Sequence, residues 1–240
     1  IVSNLLIFLL ICLRYKSRSY ELISETKCSL KDSACMVEAF QESVASFVEG
    51  VPELGIEVLD VLELDDIKFD ISGLKFSLAD GRVKGLKNLI IDNVKWNLSD
   101  KRIEVEYHGD LTVKGHYTAS GRILILPITG DGQMKIKLKN VAVRLNLYYN
   151  MEKKEDGKDY IILKKYDVDF DVKDNASYNL TNLFDGNQEL GDTMLTFLNE
   201  NWKEISSEFG RPLMDSAAKI IFKNIVIFFD KVPISDIAVI

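Results

Sequence analysis

Histidine and cysteine are scarce in this chain of 240 residues, which contains 2 His and 3 Cys. The two histidines, His108 and His116, fall on the polar side of alternating segments, and their spacing suggests no serine or cysteine nucleophile beside them. A solvent-facing role fits them better than general acid–base catalysis. A zinc site needs several Cys and His ligands, and these are lacking. We predict no catalytic residue, no metal site, no cofactor and no enzymatic activity.

Proline is also rare, and positive charge is in deficit. The sequence has 4 Pro, 14 Gly and no linker rich in Pro, Gly or Ser, so it predicts one mature domain over residues 21–240. It carries 30 Lys and Arg against 37 Asp and Glu, a formal net charge of −7. Nucleic-acid binding depends on clustered basic residues, and anionic membranes attract basic segments. The charge argues against nucleic acid as a partner and gives no reason for attachment to a membrane surface.

The longest apolar run stands at the start of the chain. Residues 1–13 are apolar except for Ser3 and Asn4. A spanning helix needs about 20 apolar residues, so the run fits the apolar core of a secretory signal peptide. We predict that residues 1–20 are such a signal and that the mature protein is extracellular, with no stable membrane anchor. A buried helix and a membrane anchor are the alternatives.

Secretion gives meaning to two further features. Cys12 lies within the predicted signal, so Cys28 and Cys35 remain as one pair, and two Cys in an exported domain predict one disulfide. Triplets of the form Asn-x-Ser/Thr predict N-glycosylation where a secreted chain exposes them. The predicted glycosylation sites are Asn97, Asn175 and Asn179.

The first structured segment reads as a helix. Residues 33–49 carry apolar side chains at helical spacing with acidic and amide side chains opposite, which predicts an amphipathic helix. Asp32 or Ser33 is the expected N-cap. Gly50 and Pro52 are expected to end the helix.

Residues 56–172 change to a period of two, which predicts a long antiparallel meander with one buried and one wet face. Two runs change parity, near Ser72-Gly73 and Lys139-Asn140, and we expect a β-bulge at each. Several bulges predict a strongly curved sheet that can wrap around another element. Turns are expected at the Gly and Asp signals, namely Asp80-Gly81, Ser99-Asp100, Ser120-Gly121, Gly130-Asp131-Gly132 and Asp156-Gly157.

Alternation is lost over residues 190–222, where apolar side chains recur three and four apart on a wide face. This predicts a long buried helix, bent or capped near Gly210 and Pro212. A short β-like run is expected over residues 224–229. The predicted fold class is α+β, with a long C-terminal helix wrapped by a highly curved antiparallel β-sheet and a short N-terminal helix.

Three ordered motifs resemble the insect juvenile hormone-binding protein and takeout family over residues 28–240. The first is the pair Cys28 and Cys35, which opens an amphipathic helix. The second is Gly115-x-Tyr117 followed by the segment from Gly121 to Gly132 around Pro127. The third has two parts, which are Asn182-Leu-Phe184 through Leu190-Gly191 and then Phe197-Leu-Asn199-x-Asn201-Trp202. The resemblance implies extracellular transport, as in hemolymph, of a small hydrophobic molecule such as a juvenile hormone-like terpenoid, a fatty acid or a related lipid. Carriers of this family typically have a second disulfide; no Cys follows Cys35, which favours the takeout-like branch.

Many apolar residues belong to no catalytic or metal-binding pattern, and they predict a ligand cavity. We place it between the N-terminal helix and the sheet, because we expect that helix to be the least constrained cover over the core. The ligand-binding residues expected on that helix are Met36, Phe40, Val44 and Phe47. Tyr149 ends an inward row and is expected to offer its hydroxyl to the ligand, and Trp202 to contribute from the long helix. The alternative is an extracellular signalling or interaction protein, with an unknown receptor, whose core is filled by side chains. An esterase or isomerase acting on the same lipid is a second rival.

Overall fold

Two very long antiparallel strands form the centre of the fold. The computed structural model describes residues 27–239, so the predicted signal segment lies outside the described residues. In chain order the elements are β1 (Cys28–Ser29), α1 (Ser33–Glu49), β2 (Val61–Glu63), β3 (Ile67–Ile71), β4 (Leu74–Lys84), β5 (Ile90–Asn97), β6 (Arg102–Ile123), β7 (Leu126–Lys153), β8 (Asp159–Leu180), α2 (Gln188–Glu200), α3 (Trp202–Phe209), α4 (Arg211–Lys231), α5 (Ile234–Ile237) and β9 (Ala238–Val239), with 3₁₀ turns at Pro52–Leu54, Leu86–Asn88 and Phe184–Gly186.

The main sheet has the order β2-β4-β6-β7-β8, with β3 also paired to β4 and β5 to β6. Strands β5 and β4 share one side of β6, because β5 pairs with residues 102–108 and β4 with residues 112–121. The helices α2, α3 and α4 pack along β8, and the core lies between them and the inner face of the sheet. This arrangement confirms the predicted α+β class, with a curved antiparallel sheet around a long C-terminal helix.

One of the two predicted bulges is present. The pairing of β6 with β7 shifts register between Gly109 and Leu111, opposite Lys139 and Asn140. Asp110 stabilises the irregularity, because its carboxylate accepts a hydrogen bond from the Asn140 N–H at 2.9 Å and pairs with Lys139. The parity change near Lys139-Asn140 was therefore a correct indication of a bulge.

The bulge predicted at Ser72-Gly73 is wrong. These two residues connect β3 to β4 as a two-residue hairpin, with φ of 52° and 88°. Positive φ at both central residues is what a tight hairpin of this length requires. A two-residue hairpin places Ile71 opposite Leu74 on one face, so it changes parity in the sequence as a bulge does.

The turn predicted at Gly130-Asp131-Gly132 is also wrong, since these residues lie within β7. A Cβ on Gly130 would lie 2.4 Å from the hydroxyl of Tyr117, whose O–H donates to the Thr181 carbonyl at 2.8 Å. The glycine makes room for that ring and does not make a turn. Asp80-Gly81 and Ser120-Gly121 likewise lie inside strands, whereas Ser99-Asp100 and Asp156-Gly157 are turns as expected.

The C-terminal region is more helical than the sequence indicated. The predicted single helix is divided into α2, α3 and α4, with the last break at Gly210, one of the two places expected. The run predicted as β-like, residues 224–229, continues α4 to Lys231. Its β-branched residues favour a strand locally, but burial between sheet and helix α1 decides for a helix, since propensity is a weak term beside packing.

The two ends of the described chain meet beside α1. Strand β1 pairs in parallel with β9, with Cys28 opposite Ala238. Cys28 is bonded through a disulfide to Cys35 in the first turn of α1, at a Cα–Cα distance of 5.6 Å, as predicted. The Asp32 carboxylate caps α1 by accepting from the Cys35 N–H. The bridge therefore joins the start of α1 to the chain end.

The disulfide should be complete in the folded protein. In a Cys12→Ser background, the denatured, unreduced protein should contain no free thiol. Replacing Cys28 and Cys35 by Ser in that background should lower the free energy of unfolding by roughly 2.5 kcal/mol, because the bridge closes a short loop of the unfolded chain. Thiol titration and urea denaturation measure the two quantities. Two free thiols in the parent protein would contradict the bridge.

Glycosylation is expected more at β8 than at β5. Asn175 and Asn179 are exposed on the outer face of β8, while Asn97 is half-buried and donates its amide to Asp100 at 2.6 Å. Protein secreted from insect cells should lose mass on glycosidase treatment, and Asn175→Gln with Asn179→Gln should remove more of that loss than Asn97→Gln. Intact-mass spectrometry measures each loss. Unchanged mass in the treated wild type would rule out all three sites.

Candidate functional site

A cavity of about 210 Å³, here called the helix cavity, lies between α1 and the sheet. Its wall consists of the inner side of α1, the inner faces of β5, β6 and β7, and the C-terminal half of α4. From α1 it is lined by Met36, Ala39, Phe40, Ser43, Val44, Phe47 and Val48. The opposite wall includes Ile103, Val105, Tyr107, Leu145, Leu147, Phe228 and Phe229. Among residues 27–239, no charged side chain lines this cavity.

Helix α1 is held over the cavity at several points along its length. Ser33 donates to the Val94 carbonyl at 2.6 Å. The Gln41 amide donates to the Leu89 carbonyl at 3.0 Å and accepts from the Ile91 N–H at 2.8 Å, so it pairs with the start of β5 as a neighbouring strand would. The disulfide adds a fixed start. The structure thus contradicts our expectation that this helix is the least constrained cover over the core.

Among the described residues, the polar side chains on the wall of the helix cavity are those of Ser43 and Tyr107, and each carries a hydroxyl group. Ser43 donates back to the Ala39 carbonyl at 2.8 Å, within its own helix. Tyr107 projects from the inner face of β6 and is surrounded by protein; burial raises its pKa to about 12. The side chain is half-buried, and it lines the helix cavity. Within residues 27–239, no side chain or backbone group forms a hydrogen bond with its hydroxyl.

A second cavity of about 130 Å³, the far cavity, lies toward the other end of the sheet. It is lined by the inner faces of β4, β6, β7 and β8 and by α3 and the start of α4. Its polar side chains are Tyr178 and Ser206, whose hydroxyl oxygens lie 2.8 Å apart. Ser206 also donates to the Trp202 carbonyl at 2.7 Å, so the Tyr178 proton is directed at Ser206. Burial is the main cause of the raised pKa of Tyr178.

A small space of about 40 Å³, the connecting cavity, lies between the other two. It shares Tyr107 and Ile221 with the helix cavity, and Leu111 and Met214 with the far cavity. All three are therefore arranged in a row along β6. The segment of β6 that lines them, from Ile103 to Ile123, would extend about 65 Å if straight, at ~3.3 Å per residue.

The sequence-predicted site residues divide into two groups. Those on α1, namely Met36, Phe40, Val44 and Phe47, all line the helix cavity. Tyr149 and Trp202 line none of the three cavities. Trp202 packs among the apolar residues around the core at the start of α3.

Tyr149 belongs to an aromatic cluster behind the cavity wall. Its hydroxyl oxygen accepts a hydrogen bond from the Trp96 indole N–H at 2.9 Å. Trp96 in turn meets Phe229 edge-on, with ring centroids 6.3 Å apart. Burial raises the pKa of Tyr149. The hydroxyl that we expected to contact a ligand accepts from Trp96, and its contact with a ligand stays a prediction.

The side chains that could hold a metal ion are spread over the described part of the chain. Within it, no three His, Cys, Asp or Glu residues are placed to hold a metal ion. His108 lies 2.8 Å from Asp92, and His116 lies 2.7 Å from Asp131, in pairs on the solvent side of the sheet. No helix between residues 27 and 239 is long and apolar enough to span a membrane.

Sequence reasoning missed Tyr107 and the far cavity. Alternation along β6 had already placed Tyr107 on the inward face, beside Ile103 and Val105. A buried tyrosine normally has a hydrogen-bond partner for its hydroxyl. The sequence pattern suggests no such partner for Tyr107, and this was the signal that could have singled it out. The far cavity had no signal of its own, because it depends on how α3 and α4 pack against four strands.

Comparison with known proteins agrees with this geometry. Residues 6–238 match the family model described as haemolymph juvenile hormone binding protein. The crystal structure of Takeout 1 from Epiphyas postvittana is 64% identical, covers 89% of this chain and 99% of its own, and superposes with a TM-score of 0.88. The circadian clock-controlled protein daywake of Drosophila yakuba is 27% identical over 83% of this chain and 81% of its own length.

A shorter match is to the juvenile hormone-binding protein of Manduca sexta, which is 33% identical over 36% of this chain and 39% of its own length. The family model covers nearly the whole described range, and the α+β fold agrees with that of the moth structure. The chain therefore belongs to the haemolymph juvenile hormone binding protein family.

Proposed function

We propose that this protein is a secreted carrier that holds one small hydrophobic molecule in the helix cavity. The observation that carries the proposal is the cavity itself, with its apolar wall and a volume of about 210 Å³. In other proteins, an apolar core cavity of about 150 Å³ stays empty of water and accepts an apolar guest. A space of this size and lining therefore favours an apolar ligand over water.

The energetics fit a ligand of terpenoid size. Burying about 300 Å² of apolar surface gains roughly 7–8 kcal/mol at about 25 cal/mol/Å². Association costs reduce this gain, and micromolar affinity corresponds to about 8 kcal/mol. Extension of the ligand into the connecting cavity and one polar contact would supply the remainder.

The ligand class is supported by the family and by one relative. The Manduca sexta protein is named for binding juvenile hormone, and we infer a comparable terpenoid or other lipid for this chain. Secretion is supported by the apolar run at residues 1–13 and by the single disulfide. The open cavities favour a carrier over a protein whose core is filled by side chains. The outward position of both histidines argues against an esterase or isomerase.

A carrier should retain its ligand through gentle purification. We expect solvent extraction of natively purified protein to release a small lipid in near-equimolar amount, identified by mass spectrometry. Protein that has been denatured, extracted and refolded should release none and serves as the control. Native protein that yields no lipid and binds no fluorescent lipid probe would favour a core filled by side chains.

Filling the helix cavity should weaken binding. Phe40→Trp adds bulk to a side chain that lines the cavity, so the indole takes up space that the ligand would occupy. We expect the affinity for a fluorescent lipid to fall about tenfold or more, while the melting temperature changes little. Glu42→Trp places the same indole on the exposed side of α1 and should bind like the wild type. If Phe40→Trp and Glu42→Trp bind the fluorescent lipid equally well, the ligand does not bind in the helix cavity.

A further inference from the structure

Tyr107 differs from every other hydroxyl on the cavity walls. Ser43 donates to Ala39, Ser206 donates to Trp202, and Tyr178 is directed at Ser206. Each of these protons has an acceptor within the protein. The Tyr107 proton has none among the described residues, although the side chain lies between the helix cavity and the connecting cavity and lines both.

A hydroxyl that faces an apolar cavity without a partner is destabilising. Leaving a polar group unsatisfied in an apolar space is unfavourable, so folded proteins normally provide an acceptor or a water molecule. Here the open space beside the ring is where such an acceptor would sit. Because burial raises the pKa of Tyr107 to about 12, the hydroxyl keeps its proton and remains a donor at physiological pH.

The surrounding wall limits the kind of acceptor. In the described part of the chain, no Lys, Arg or His side chain lines the helix cavity or the connecting cavity. A carboxylate placed there would lose its hydration without gaining a counter-ion, which is far costlier than burying a neutral oxygen. An ester, ketone or ether oxygen pays no such penalty and accepts a hydrogen bond from a phenol.

We propose that Tyr107 is the polar specificity residue of the carrier and that its ligand is a neutral lipid with a hydrogen-bond acceptor part-way along an apolar chain. The oxygen accepts from the Tyr107 hydroxyl where the helix and connecting cavities meet. One apolar arm occupies the helix cavity beneath α1, and the other points along β6 toward Leu111. The inference rests on the proposed carrier function and adds the chemical class of the ligand to it.

The test uses three ligands of matched length, namely diheptyl ketone, n-pentadecane and pentadecanoate. Each displaces the neutral fluorescent probe N-phenylnaphthylamine from the full chain. Wild type should bind the ketone more tightly than the alkane or the carboxylate. Tyr107→Phe should weaken ketone binding about fivefold, the effect of one neutral hydrogen bond, and leave alkane binding unchanged.

Tyr148→Phe is the matched control, because Tyr148 lies on the other face of the sheet with Lys165 over its ring at 4.4 Å. It should bind all three ligands like the wild type. Equal weakening of ketone and alkane by Tyr107→Phe would make Tyr107 a packing residue and overturn the inference. Unchanged ketone binding would overturn it as well, and carboxylate binding equal to ketone binding would refute the neutral class. If wild type binds neither the probe nor any ligand, the carrier function itself fails, and the inference fails with it.

Discussion

The structure depends on burying the inner face of a strongly curved sheet. Strands β6, β7 and β8 are 22, 28 and 22 residues long and keep apolar side chains inward along most of that length. Exposing such a surface to water would cost roughly 25 cal/mol for each Å². The register shift opposite Asp110 bends the sheet so that the inner face turns toward the helices. Every other element is placed by the need to cover this face.

The covering elements explain why space remains. A helix is about 10–12 Å wide with its side chains, and α4 alone covers only part of a curved face of this extent. Helices α2 and α3 cover one end and α1 the other, and the cavities lie where these covers and α4 meet the sheet. Apolar side chains on rigid elements cannot collapse into such gaps, because each is held by its own strand or helix. The cavities thus follow from the geometry of the fold, and the ligand class that we propose follows from their lining.

Periodicity could predict the elements but not the gaps between them. The bounds of α1 and the bulge at Lys139-Asn140 were predictable because each leaves a local trace, one in helical spacing and the other in parity. Ser72-Gly73 was misread because a hairpin and a bulge leave the same trace. Gly130 was misread because the feature that requires glycine, the Tyr117 ring, lies on another strand. The inward face of α1 predicts the four residues that line the helix cavity from that helix, whereas no local pattern could show that the Tyr149 hydroxyl meets Trp96.

Affinity and selectivity arise from different parts of this site. The apolar wall stabilises any guest in proportion to the surface it buries, and this interaction has no direction. On that basis alone, terpenoids, alkanes and other chains of similar size would compete nearly equally. Discrimination requires a polar group in the site whose hydrogen bond is completed only by the right ligand. A site with such a group rejects analogues that leave it unpaired. Since Ser43, Tyr178 and Ser206 are satisfied within the protein, Tyr107 is the side chain on these walls that meets this requirement. Its position between two cavities lets the same hydrogen bond fix where the ligand lies along the sheet as well as which ligand is retained.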